Sequence, residues 1–102
     1  MPKGYMSGAA ERVRTAGGLY IADEVQSGFG RTGEWFACET YGIAADMMTI
    51  AKQLTASVFP MSAVAMTSQV RDTISTLAHE YGTFGHGMTY GGHPVGAAVG
   101  LE

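Results

Sequence analysis

Cysteine is almost absent from these 102 residues: Cys38 stands alone, so no disulfide can form within the chain. A disulfide-stapled secreted scaffold is excluded, and the expected setting is intracellular and cytoplasmic. Long apolar runs are missing as well. None approaches the roughly 20 residues needed to span a bilayer, and the opening Met1-Pro2-Lys3-Gly4-Tyr5 lacks the apolar core of a secretory leader. Positive charge is scarce. Six Lys and Arg against nine Asp and Glu leave a net charge of -3, without the basic footprint that nucleic acid demands. Internal repeats and low-complexity tracts are also absent. What remains is 46% hydrophobic residues with an unusually high 15 glycines, the composition of a globular chain. Its length suits one small domain or part of one. The run into Glu102 reads as a helix with no stop signal behind it, which suggests truncation.

Periodicity predicts α/β structure. Tyr5 to Ala16 reads as a short amphipathic helix with Ser7 as N-cap. Its inner face is Ala10, Val13 and Ala16, with Arg12 and Arg14 in water. Gly17-Gly18 ends it. Leu19 to Ala22 is an apolar run without alternation, as expected of a strand buried on both faces. Ser27 to Tyr41 reads as loop, anchored by Trp35-Phe36-Ala37. Met47 to Ala51 is a second buried strand, and Gln53 to Pro60 is irregular. Met61 to Met66 is a third strand, again expected to be buried on both faces. Thr67 or Ser68 caps a helix with the face Val70, Ile74 and Leu77. After a Gly-rich loop from Gly82 to Gly92, Pro94 opens a small-residue helix.

The chemistry gathers at two strand ends. The first apolar run stops at Asp23-Glu24, and the second stops at Lys52. Parallel strands present their carboxyl ends along one rim, where open α/β sheets bind ligands. A carboxylate keeps a nearby pyridine nitrogen protonated. A lysine partly buried at a strand end has a lowered pKa and a nucleophilic amine. Together they suit a cofactor with a basic ring nitrogen and an aldehyde, and pyridoxal 5'-phosphate is one. The plainer alternatives are a lysine snorkelling to solvent and two acids capping a turn.

Gly28 to Gly33 also satisfies G-x-G-x-x-G. The dinucleotide-binding reading fails, because that fingerprint needs its first glycine directly after the strand and a helix directly behind. His79, His86 and His93 recur every seven residues, but Gly82, Gly85, Gly87 and Pro94 break any common helix. No metal site is expected from them.

Leu19-Tyr20-Ile21-Ala22-Asp23-Glu24-Val25-Gln26-Ser27-Gly28-Phe29-Gly30-Arg31-Thr32-Gly33 resembles the signature of class III pyridoxal-phosphate aminotransferases. Asp46-Met47-Met48-Thr49-Ile50-Ala51-Lys52 resembles that family's cofactor-lysine segment. Gly87-Met88-Thr89-Tyr90-Gly91-Gly92-His93-Pro94 resembles its loop to the partner subunit's cofactor phosphate. The likeness is nearest to the ω-aminotransferase group and covers essentially the whole chain.

The resemblance implies a fold-type-I large domain, a mostly parallel sheet flanked by helices. Residues 1–102 would form part of that cofactor-binding domain, with no second domain present. It implies an enzyme that moves an amine from an ω-amino acid or amine to a keto acid such as pyruvate, working as a homodimer. Lys52 would hold the cofactor's aldehyde carbon and shuttle a proton, and Asp23 would pair with the ring nitrogen. Val25 would pack on the ring, Gln26 would bond near its phenolic oxygen, and Thr89 would donate to the partner's cofactor phosphate. Glu24 and Arg31 would be structural. A same-fold aminomutase and a non-catalytic fragment are the alternatives. The family's phosphate-cradling turn and ring-stacking aromatic, N-terminal to this stretch, and its carboxylate-binding arginine, in a C-terminal small domain, are not among these residues. One local departure follows Lys52, where Ala56-Ser57-Val58 replaces the family's small, Gly-containing run.

Overall fold

The computed structural model describes residues 2–102. The first helix, α1, spans Tyr5–Thr15. Its N-cap is Gly4 in the left-handed region, at φ 79°. The expected cap, Ser7, lies one turn inside instead and donates from Oγ to the Gly4 carbonyl. The C-terminus is as expected. Gly17, at φ 79°, lets its own N–H reach Arg14 O and the Gly18 N–H reach Val13 O, so the last carbonyls find partners.

Three short strands form one sheet in the order β1-β2-β3: β1 at Ile21–Asp23, β2 at Met47–Ile50 and β3 at Ala63–Met66. β1 and β2 are parallel, with Ile21 opposite Met47 and Asp23 opposite Thr49. Between them runs α2, Ala37–Tyr41, within a segment expected to be loop. β3 pairs antiparallel to β2, Met47 opposite Met66 and Ile50 opposite Ala63, so this part of the sheet is mixed. A 3₁₀ turn at Lys52–Thr55 begins the connection between them. Two helices complete the chain, α3 at Ser68–Tyr81 and α4 at Pro94–Leu101.

Burial falls short of the sequence expectation. The buried apolar residues are Ala10, Ala22, Ala37 and Cys38, gathered where α1, β1 and α2 meet. Ile21 is 54% exposed, and all four residues of β3 face solvent, so neither strand is buried on both faces. The Trp35 ring is exposed and gives no apolar anchorage, although its carbonyl accepts the Phe29 and Gly30 N–H groups; the apolar contact comes from Phe36, packing edge-to-face on Phe29 at 5.5 Å. On α3, Val70, Ile74 and Ala78 are half-buried, whereas Leu77 is exposed. Nor does Arg14 stand free in water. Its guanidinium lies 3.4 Å from Asp46 and donates to the Ala44 carbonyl, tying α1 to the entry of β2.

The accessible surface is 7671 Å², against about 5500 Å² for a folded monomer of this mass. The body is a slab of 41 × 39 × 16 Å. No helix among the described residues is long and apolar enough to cross a membrane.

Candidate active site

Parallel pairing brings the two expected strand ends to one rim. Asp23 closes β1 opposite Thr49 of β2, and the Glu24 N–H continues the ladder to Thr49 O at 3.0 Å. β2 ends at Ile50, and Lys52, three residues after Thr49, opens the 3₁₀ turn that follows. A carboxylate and an amine thus share the carboxyl edge of adjacent parallel strands.

Asp23 Oδ1 accepts two hydrogen bonds, from Thr49 Oγ1 and from the Val25 backbone N–H, both 3.1 Å. Among the described residues nothing donates to its other oxygen. The Val25 bond is the turn-capping role weighed from the sequence, and it engages only one face of the carboxylate. Lys52 is exposed rather than protected, because no described element covers this rim. Its backbone lies in the left-handed region at φ 46°, and its carbonyl accepts the Ser57 N–H at 2.9 Å. A non-glycine residue in that region is a strained conformation of the kind that clusters at functional sites.

Glu24 turns the opposite way from Asp23 and is 2% exposed. Its Oε1 accepts the Cys38 N–H at 2.8 Å and its Oε2 accepts the Ser27 hydroxyl. Burial pushes its pKa up, but the hydrogen bonds from Ser27, Cys38 and Ala37 outweigh that and hold it below the usual carboxylate range. This carboxylate satisfies an N–H in the first turn of α2, whose N-cap, Phe36, has no oxygen to offer. It thereby pins the loop after Asp23 to α2. Gly28 is required in that loop: a Cβ there would lie 2.8 Å from Glu24 O and 3.2 Å from the Phe36 ring.

Of the other expected site residues, Val25 is half-buried beside Asp23 and Gln26 is exposed. Thr89 is exposed in the loop before α4, with no hydrogen bond to Asp23 or Lys52 among the described residues. That block meets the lysine block through α4, which packs on the segment after Lys52. Gly96 lies so close to Phe59 that a Cβ would approach its ring to 2.6 Å. Thr49 was not singled out from the sequence. Its signal was a lone hydroxyl within the apolar run Met47 to Ala51. The glycines of the G-x-G-x-x-G stretch serve turns, Gly30 at φ 93° and Gly33 at φ 96°, and α2 opens only at Ala37. His79, His86 and His93 fall on α3, the following loop and the cap of α4.

The class-III aminotransferase profile matches residues 1–102. The chain is 56% identical over 84 residues to a putrescine–pyruvate aminotransferase of Pseudomonas aeruginosa, covering 82% of this chain and 18% of that one. It is 49% identical over 84 residues to γ-aminobutyrate transaminase 3, chloroplastic, of Solanum lycopersicum, covering 82% and 16%. Among solved structures, the ω-transaminase of Pseudomonas jessenii in complex with PMP superposes with a TM-score of 0.94 at 41% identity, over 98% of this chain and 22% of that one. An (S)-enantioselective ω-transaminase from Thermomicrobium roseum gives 0.89 at 42% identity, over 98% and 22%. The chain thus spans about a fifth of the length of these relatives. With transaminases of the fold-type-I class matching nearly every residue of its backbone, the chain belongs to the class-III aminotransferase family.

Proposed function

We propose that the chain is the central part of the cofactor-binding large domain of a longer, homodimeric pyridoxal-phosphate-dependent transaminase. Its reaction moves an amine from an ω-amino acid or amine to a keto acid such as pyruvate. The carrying observation is the parallel register that sets Asp23 and Lys52 on one rim, with one Asp23 oxygen unengaged. The donor set fits the cofactor: an acid for a basic ring nitrogen and an amine for an aldehyde.

Pyridoxal phosphate, when bound, supplies an aldehyde that takes the amine and a protonated ring that draws off the electron pair released at the substrate carbon. Asp23 supplies the negative charge that keeps the ring nitrogen protonated. Lys52 would supply the amine that holds the cofactor, and the same amine would serve as the proton carrier at the substrate carbon. Val25 would pack on the ring, and Gln26 would bond near its phenolic oxygen. Thr89 would donate to the phosphate held by the second subunit.

The test uses the complete reading frame that contains residues 1–102. The purified protein is expected to absorb in the visible, to transfer amine to pyruvate, and to retain the cofactor on Lys52 after borohydride reduction, read by peptide mass. Lys52→Ala is expected to lose the adduct. A reducible lysine adduct surviving in Lys52→Ala, or turnover that needs no keto acid, would overturn the reading.

A further inference from the structure

We infer that Thr49 is a positioning residue for Asp23, selecting which carboxylate oxygen is presented to the cofactor. The inference rests on the proposed role of Asp23 and goes one step deeper. Asp23 closes a three-residue strand at an exposed rim, where a free carboxylate would rotate about χ2, a broad and roughly two-fold torsion. Two donors remove that freedom. The Val25 N–H holds Oδ1 from its own turn, and Thr49 Oγ1 holds the same oxygen from the neighbouring strand, each at 3.1 Å. Because both bonds fall on Oδ1, Oδ2 is left for the ring nitrogen. The Val25 bond is local and would move with the turn. The Thr49 bond is fixed by the register Asp23↔Thr49, so it ties the carboxylate to the strand that leads into Lys52. Acid and amine are thus held on one frame. Thr49 is otherwise anomalous in an apolar run, and as a β-branched residue it keeps few side-chain rotamers.

The experiment takes the complete enzyme and compares Thr49→Val, which keeps the shape and removes the hydroxyl, with Thr49→Ser, which restores it, and with Asp23→Asn. Three quantities are read: the dissociation constant of pyridoxal 5'-phosphate from the apoenzyme, kcat and KM for pyruvate, and the absorption maximum of the bound cofactor. Thr49→Val is expected to weaken cofactor binding and lower kcat by roughly tenfold each, the scale of one hydrogen bond to a charged group. KM should be unchanged, and the absorption maximum should move in the direction seen in Asp23→Asn. Thr49→Ser is expected to lie within about twofold of the wild type, since it keeps the one hydrogen bond concerned. Should Thr49→Val be insoluble, Thr49→Ala against Thr49→Ser makes the same comparison.

Wild-type binding, kcat and spectrum in Thr49→Val would overturn the inference while leaving Asp23 in place. Equal impairment of the Val and Ser variants would do the same, by showing a packing effect. If Asp23→Asn itself behaves as wild type, the underlying site reading falls, and Thr49 has nothing to position.

Discussion

Replacing Glu24 with alanine removes the acceptor of a buried backbone N–H. Cys38 N donates to Glu24 Oε1 at 2.8 Å, and Cys38 is itself buried at 8% exposure. The orphaned N–H costs about 1–3 kcal/mol. Removing the Ser27 partner and the packed side chain brings the total to about 3 kcal/mol. Glu24→Gln is milder. An amide oxygen still accepts from Cys38 and an amide nitrogen can donate to Ser27, so only the charge assistance is lost, about 1 kcal/mol. At 1.36 kcal/mol per factor of ten, amide-exchange protection across Ala37–Tyr41 in the complete protein should fall by roughly fivefold in Glu24→Gln and by roughly 150-fold in Glu24→Ala. The pH dependence follows from the lowered pKa of Glu24. A carboxyl depressed in the folded state contributes stability above its ordinary value of about 4.3, and that contribution is lost as pH falls through the folded value. Protection in the wild type should therefore decline below about pH 4.3, and Glu24→Gln should lack that component. Protection at Cys38 unchanged within twofold in Glu24→Ala would refute the reasoning.

Three further outcomes are expected. The Cys38 thiol is pushed up to about 11, by burial first and then by the Glu24 carboxylate. Its thiolate fraction at neutral pH is therefore about 100-fold below that of a free cysteine, and Ellman's reagent should label it only in denaturant; rapid native labelling would contradict this. Ala56 and Ser57 hold φ 48° and 62°, where an L-residue is strained by roughly 1–2 kcal/mol and glycine carries an entropy cost of about 0.5–1 kcal/mol. Ala56→Gly should thus stabilise the complete protein by about 0.5–1 kcal/mol in urea titration, and a lower midpoint would count against the strain. Residues 1–102 expressed alone should associate or precipitate and transfer no amine even with pyridoxal phosphate added, given their excess surface and the two open edges at β1 and β3. A cooperative monomer with measurable transfer to pyruvate, read by light scattering and by alanine formation, would sink that expectation.

Much of this protein was decided by sequence alone, wherever a feature depends on neighbours within about one helical turn. The stop of α1 at Gly17-Gly18, the opening of α4 at Pro94 and the existence of three strands are of this kind. The Asp23 and Lys52 blocks were legible as well, because acids and an amine closing apolar runs stand out against their surroundings. Only the tertiary structure decided what lies beside what. β3 has the composition of a strand covered on both faces, yet in this chain it is an exposed, antiparallel edge, since hydrophobicity records the burial a residue favours and not which element provides it. Arg14 looks solvated until β2 brings Asp46 and Ala44 to it, and Glu24 looks like a second turn acid until α2 offers it the Cys38 N–H. Thr49 acquires a partner only through a register that sets it opposite Asp23, 26 residues away in the chain. Strand register is set by pairing between distant segments, and one residue of slip would turn that hydroxyl to the other face.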